Sequence, residues 1–260
     1  MISMRDQLSR MAPSWMKEAA RRTATRVACQ LGAISGVETL GAHLRAVLDK
    51  QRIDTVLDVG AHVGQYGRFL RNLGFRGRIV SFEPVRENFE RLERLSAGDA
   101  RWVALRYALG RTDAEAMLNV ARTSQFSSFL PTSDFSEREF GAAAEVLRRE
   151  PVVRRSLDSL VNSGEVLVDG SRTLLKMDTQ GYDLEVLAGA TASLQAVLAI
   201  QSEVSVIPIY VGMPGYLEAI DRMTGLGFNL SGLFTVDRDT ELRVIEFDCV
   251  MVRRSGDPYP

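Results

Sequence analysis

The eleven residues from Asp54 to Gly64, Asp-Thr-Val-Leu-Asp-Val-Gly-Ala-His-Val-Gly, constrain the fold more than any other stretch of this chain. Val56 to Val59 is an apolar run of the kind that fills a strand buried on both faces. The run breaks at Gly60 and Gly64, where the backbone can pass close to a ligand because there is no Cβ. Val63, Tyr66, Gly67, Phe69, Leu70 and Leu73 then follow at helical spacing. Strand, glycine turn and helix together open a nucleotide-binding βαβ unit. The carboxylate of Asp58 inside the strand would repel a pyrophosphate and attract a ligand with a positive amino group. His62 stands where the second glycine of Gly-x-Gly-x-x-Gly would be. A cationic nucleoside such as S-adenosylmethionine (SAM) is therefore favoured over a dinucleotide.

Strand and helix signals alternate along the chain. Arg78 to Glu83 reads as a second strand ending in an acidic residue, and Val85 to Leu95 as the helix after it, with Pro84 at its first turn. Glu83 lies 25 positions after Asp58, where the carboxylate ending the second strand of a doubly wound sheet faces a nucleoside ribose. Arg101 to Tyr107 reads as a third strand, and Glu115 to Val120 as a strand or hairpin. Residues 122–155 interrupt the alternation with Ser124, Ser127, Ser128, Thr132, Ser133 and Ser136 and a helical run from Ala142 to Arg149. They read as an insertion over the ligand face, a lid or part of an acceptor site. Thr173 to Asp178 is another buried strand with a polar end, and a helix through Leu184, Leu187 and Leu194 follows. Lys176 inside this strand needs a partner if buried. Val197 to Glu203 forms the next strand, again closed by a carboxylate. Tyr216 to Leu226 is helical, and Phe228 to Phe234 with Glu246 to Arg253 forms an antiparallel pair at the sheet edge, joined at Asp237-Arg-Asp.

The domain plan is an N-terminal helical extension (1–48), a SAM-binding domain (49–254) and a short tail (255–260). Residues 1–26 carry six basic residues against two acidic ones, with Ile2, Leu8, Met11, Trp15 and Met16 among them. They read as a solvated helix packed on the domain or a partner subunit, or as an amphipathic segment in peripheral contact with anionic lipid. A net charge of −1 gives no global basic field, so nucleic acid is not the expected partner. Cys29 and Cys249 suit neither a zinc site nor a disulfide framework, and fit a reducing cytoplasm. No apolar run approaches the roughly 20 residues needed to span a bilayer.

Several motifs stand in order along the chain: Asp58-Val-Gly-Ala-His-Val-Gly64, Phe82-Glu-Pro84 with Asn88, Ala108-Leu-Gly110, Ser127-Ser128, Lys176-Met-Asp-Thr-Gln-Gly-Tyr-Asp183, Leu187-Ala-Gly-Ala190 and Glu203. As an ordered set spanning roughly residues 50–253, they resemble the FkbM family of SAM-dependent O-methyltransferases. The resemblance implies an α/β fold, the doubly wound, Rossmann-like class I methyltransferase sheet of seven strands with the last antiparallel. It implies methylation of a hydroxyl on a sugar, glycolipid or related natural product. Expected cofactor contacts are Asp58, Gly60, His62, Gly64, Glu83, Pro84, Ala108 and Asp178. Expected acceptor contacts are Ser127, Ser128, Gln180, Tyr182 and Tyr210, with Tyr210 offering an aromatic face to a sugar and Asp183 nearby. His62 and Gln180 depart from the family, which commonly has Asn and Glu there. His62 is expected to hold the SAM carboxylate or the turn backbone. Asp178 and Glu203, at adjacent strand ends, are the catalytic candidates: one takes the acceptor's proton, or the two share a Mg²⁺ ion. Two rival readings are an NAD(P)-dependent oxidoreductase and a SAM-fold protein that binds but does not catalyse, acting as a partner subunit; a homo-oligomer is a separate expectation.

Overall fold

The computed structural model describes residues 39–168 and 170–254. The expectations for residues 1–38 and for the tail lie outside these, including the amphipathic N-terminal segment. The described chain opens with α1 (Leu40–Lys50). Thr39 caps it, its hydroxyl accepting from Ala42 N at 3.3 Å, and Leu40, Leu44, Val47 and Leu48 form its buried stripe. Then come β1 (Thr55–Val59), α2 (Gln65–Asn72), β2 (Arg78–Phe82), α3 (Arg86–Ser96), β3 (Trp102–Leu105), β4 (Ala108–Leu109) and β5 (Ala114–Ala121). The second half holds α4 (Asp134–Phe140), β6 (Val146–Arg155), α5 (Leu157–Asn162), β7 (Thr173–Met177), α6 (Asp183–Ala188), β8 (Val197–Ser205), α7 (Tyr216–Gly225), β9 (Phe228–Arg238) and β10 (Val244–Arg253).

Seven strands form one sheet in the order β3-β2-β1-β7-β8-β10-β9. β1 pairs in parallel with both β2 and β7, and β10 runs antiparallel to its neighbours β8 and β9. This is the expected doubly wound methyltransferase sheet with an antiparallel last strand. After β1 the chain first builds outward through β2 and β3, and later crosses back to β7 and β8. The crevice above the carboxyl ends of β1 and β7 is thus a topological switch point, where α/β sheets bind ligands.

Strand alternation explains how the sheet is buried on both faces. Leu57, Val59, Leu175 and Met177 point into one core with Phe82, Leu157, Leu160, Leu187 and Met223. Val56 and Leu174 point into the other with Leu44, Leu70, Ile79 and Leu92. By the same period of two, Asp58 and Lys176 share the second face.

A second, three-stranded sheet, β4-β6-β5, takes its central strand, β6, from the predicted insertion and its other two from the residues before it. The helix expected over Ala142–Arg149 is not there: a single 3₁₀ turn at Gly141–Ala143 leads directly into β6. Pairing overrides local propensity in this stretch. Val152 of β6 joins Leu118 and Val120 of β5, with Val85 and Ala108, in a small separate core. The helix of the insertion falls earlier, at α4, capped by Ser133 Oγ. Other boundaries shift as well. Pro84 precedes the Val85 cap of α3 rather than entering its first turn. α6 ends at Ala188, and Leu194 lies in a separate 3₁₀ turn, Ser193–Ala196. A Cβ on Gly189 would lie 2.0 Å from Gly110 O, so two of the ordered motifs meet through a contact only glycine permits. β8 runs two residues past Glu203, and β9 runs through Asp237, so the hairpin turn begins at Asp239. Among the described residues no helix is long and apolar enough to cross a membrane.

Candidate active site

The glycine turn after β1 is fixed by its neighbours. Gly60 N and Ala61 N both donate to Phe82 O, each at 3.0 Å. Gly60 has φ +76°, and a Cβ there would lie 2.0 Å from Asp178 O. The turn therefore packs directly against the end of β7. His62 also takes a left-handed conformation, φ +51°, and its backbone N donates to Glu83 Oε2 at 2.8 Å. Gly64 caps α2 with φ +87° and faces the side chains of Leu92, Leu95 and Trp102 rather than the crevice.

Beneath the turn, a polar row crosses four strands. Trp102 Nε1 donates to Ser81 Oγ (3.0 Å), and Ser81 Oγ donates to Asp58 Oδ2 (3.0 Å). Asp58 Oδ1 lies 3.1 Å from Lys176 Nζ, its parallel partner in register. The ammonium also donates to Gly60 O (3.2 Å), lies 3.7 Å from Asp178 Oδ2 and sits 5.1 Å from the centre of the Tyr66 ring. Tyr66 in turn donates to Gln201 Oε1 at 2.6 Å, and Gln201 Nε2 to Asp248 Oδ1 at 3.0 Å. Burial works against the charge on Lys176, but Asp58, Asp178 and Glu203 outweigh it and hold its pKa above the ordinary lysine value. Lys176 thus has its partner. Asp58 is fully buried and matched by that lysine, not turned toward the crevice. Its expected direct contact with a ligand amino group does not fit this placement.

The crevice itself encloses about 700 Å³, counting its open mouth. Val59, Pro84, Val85, Ala108, Leu109, Leu118 and Phe129 supply apolar walls, and Glu83, His62, Ser124, Ser127, Asp178, Gln180 and Tyr182 supply polar groups. No lysine or arginine lines it among the described residues. Its acidic lining, Glu83 and Asp178, is not matched by a basic side chain in the crevice wall, which suits a ligand with positive centres and apolar faces. Glu83 is buried, and Oε1 accepts from Val85 N (2.9 Å) and Asn88 Nδ2 (3.4 Å). Burial raises its pKa to about 7, although the bonds from Val85, His62 and Asn88 favour the carboxylate.

A side-chain chain links the turn to the insertion. Ser124 Oγ donates to Asn88 Oδ1 at 3.2 Å and lies 2.7 Å from His62 Nε2. Gln65 Nε2 lies 3.2 Å from His62 Nδ1. The tautomer with Nε2–H donating to Ser124 leaves Nδ1 to accept from Gln65 Nε2, which is nearer than Gln65 Oε1 at 3.4 Å. Burial lowers the His62 pKa and so favours this neutral ring. His62 therefore holds the insertion, through Ser124, against the Asn88 and Glu83 end of β2.

At the end of β7, Gln180 (φ +55°) joins the remaining candidates. Its Nε2 donates to Asp178 Oδ1 at 2.8 Å and to Glu203 Oε2 at 3.1 Å. Its Oε1 accepts from Tyr210 OH at 2.8 Å, and its backbone O accepts from Ser128 Oγ at 2.7 Å. Asp178, with 26% of its side chain exposed, faces the crevice. Glu203 is not among the lining residues and reaches the site through Gln180. Tyr210 is 1% exposed, packed with Phe140, Ile209 and Ile245, so the predicted aromatic sugar face is internal. Ser128 is likewise buried and serves the loop, whereas Ser127 and Tyr182 line the crevice. Asp183 is buried, accepting from Thr179 N and Ser202 Oγ, and braces the turn after β7. Phe129 and Leu118, which the sequence reading did not single out, are brought to the crevice by the second sheet. Among the described residues no group of three or more His, Cys, Asp and Glu side chains is placed to hold a metal ion.

The model of the methyltransferase FkbM domain matches residues 58–230, well over half of the chain. This chain belongs to the FkbM methyltransferase family. A curated relative, the hexuronic acid methyltransferase AglP of Haloferax volcanii, is 28% identical over 156 residues, which are 59% of this chain and 57% of that protein. The match thus spans little more than half the relative's length. Solved structures resemble the chain distantly. An rRNA methylase of Streptococcus thermophilus is 9% identical with a TM-score of 0.45, covering 85% of this chain and all of that one (100%). Fibrillarin of Aeropyrum pernix, in complex with bound SAM, is 12% identical with a TM-score of 0.43, covering 76% of this chain and 66% of that one.

Proposed function

We propose that this chain transfers a methyl group from SAM to a hydroxyl of a sugar, glycolipid or related natural product, with Asp178 as the proton acceptor. The observation that carries the proposal is the position of Asp178. It projects into the same crevice as Glu83 and the glycine turn, and its other flank is held by Lys176 and Gln180. SAM, when bound, supplies a methyl group made electrophilic by a positively charged sulfur. The chain's own contributions are three. The turn and Glu83 offer the nucleoside a rigid seat, with apolar walls from Pro84, Ala108 and Leu118. The insertion, tied to His62 and Asn88 through Ser124, covers one side of the crevice and shields the reacting hydroxyl from water. Asp178 removes the hydroxyl proton, which a general base makes worth ~10²–10⁴-fold. Alignment of the two reactants can account for a further ~7–11 kcal/mol of the barrier.

The relative's name points to a sugar acid, which offers both hydroxyls and a carboxylate. The acidic lining favours a neutral hydroxyl here. Transfer from labelled SAM to a panel of hexoses, hexuronic acids and glycolipids tests this, with the product then exposed to mild alkali. A methyl ether survives alkali and supports the proposal; a label released by alkali is an ester and contradicts it. Asp178→Asn is expected to lose ~10²–10⁴-fold in turnover while retaining affinity for S-adenosylhomocysteine. Equal loss of both would contradict the role given to Asp178. Binding without transfer to any acceptor would favour a non-catalytic partner protein.

A further inference from the structure

Two carboxylates facing one site repel each other unless something positive or hydrogen-donating lies between them. Lys176 offsets part of this charge from the far flank of Asp178, 3.7 Å from Oδ2, and the group between Asp178 and Glu203 is the amide of Gln180, whose single nitrogen reaches Asp178 Oδ1 at 2.8 Å and Glu203 Oε2 at 3.1 Å. An amide nitrogen has two hydrogens, one for each carboxylate. Its orientation is set from behind. Tyr210, buried to 1% exposure, has one hydroxyl hydrogen and two acceptors in reach, Oε1 at 2.8 Å and Phe126 O at 3.0 Å, of which Oε1 is the nearer. Turning the amide over would lose both carboxylate bonds and place Oε1 against two negative charges. The main chain is held as well, in a left-handed conformation with its carbonyl bonded to Ser128. Glutamate at this position would have no hydrogen to give and would add a third negative charge, which only a proton or a cation could offset.

We propose that Gln180 takes the place of a cation in this site: its amide, fixed by Tyr210, holds Asp178 and Glu203 together as an ionised pair, so that the site works without a divalent metal ion. This rests on the reading of Asp178 as the group that faces the acceptor. Gln180 is then a positioning residue, acting through Asp178. The lone pair of an amide nitrogen is not a ligand for a hard cation, and the amide already engages one oxygen of each carboxylate, Asp178 Oδ1 and Glu203 Oε2, so a Mg²⁺ ion bridging them there would have to displace it. The expected Mg²⁺ bridge between Asp178 and Glu203 does not fit this arrangement.

The test titrates MnCl₂ and, separately, S-adenosylhomocysteine into chelator-treated wild type, Gln180→Glu and the double variant Gln180→Glu/Glu203→Gln. The double variant restores one amide among two carboxylates. Wild type and the double variant are expected to bind no Mn²⁺ below millimolar concentration. Gln180→Glu is expected to gain a Mn²⁺ site at least tenfold tighter, displaced by Mg²⁺, and to move the acid limb of its pH–rate profile up by about one unit or more. A bridge that only braces the loop would lower activity at every pH without creating a response to Mn²⁺, and that result overturns the proposal. Mn²⁺ binding by wild type with S-adenosylhomocysteine affinity intact also overturns it, and needs no variant to fold. Failure of wild type to bind S-adenosylhomocysteine removes the reading on which the proposal rests, and the proposal with it.

Discussion

Replacing Lys176 with methionine removes the ammonium and keeps most of the volume. It leaves the Asp58 carboxylate, fully buried, with Ser81 Oγ as its remaining close donor. Removing one partner of a buried ion pair typically costs ~3–5 kcal/mol, because the other charge stays uncompensated. The lost bond to Gly60 O adds ~1 kcal/mol. A destabilisation of about 5 kcal/mol is expected, which for a domain of this size lowers Tm by roughly 10–20 °C. The double variant Asp58→Asn/Lys176→Met removes the stranded charge, while the amide oxygen it introduces can still accept from Ser81. It should recover about 2 kcal/mol relative to Lys176→Met alone, and the interaction energy of the cycle is this recovery plus the cost of Asp58→Asn by itself. Urea titration of wild type, both single variants and the double variant measures all four corners of the cycle. Additive single effects, or a Lys176→Met variant within about 1 kcal/mol of wild type, would refute the account of the row beneath the turn.

Other consequences are more local. The folded pKa of Glu83, about 7, lies above its ordinary value of 4.5. Its contribution is therefore complete below the unfolded pKa and is lost as pH rises toward 7. Wild type should lose on the order of 3 kcal/mol relative to Glu83→Gln between about pH 4.5 and 7, measured by denaturation at several pH values; parallel pH curves would count against a buried, protonatable Glu83. Gly60→Ala should lose at least ~1–2 kcal/mol from the left-handed conformation alone, with the contact at Asp178 O added, so stability comparable to wild type would contradict the packing of the turn. Ser124→Ala should speed hydrogen exchange across residues 122–133, since it removes the link from the insertion to His62 and Asn88. Unchanged exchange there would mean that other contacts hold the insertion in place.

Much of the frame was legible because it depends on local pattern. The Val56–Val59 run, the glycine turn and the strand-end carboxylates are all readable within a few residues, and their alternation with helices gives a largely parallel sheet; the seven-stranded plan with its antiparallel last strand was implied by the family resemblance. What was not legible depends on pairing across long stretches. Asp58 reads as a charge near a ligand until Lys176, 118 positions later, is seen to lie beside it in register on the same face. The Ala-rich segment before Val146 has helical composition, and only the partner strand β5 makes its continuation a strand. Tyr210 carried the right residue type for a sugar platform, but its loop turns it inward to Gln180 and the carbonyl of Phe126. Gln180 was noticed as a departure from the family pattern. Its bridging role required knowing that β7 and β8 are adjacent, which places Glu203 within reach.

The most direct measurement is calorimetric titration of the full-length protein with S-adenosylhomocysteine, with NAD and NADP as parallel controls. The account predicts saturable micromolar binding of S-adenosylhomocysteine, weakened at least tenfold by Glu83→Ala, and no binding of either dinucleotide. Binding of NAD or NADP in its place, or S-adenosylhomocysteine binding indifferent to Glu83, would contradict the assignment of the crevice.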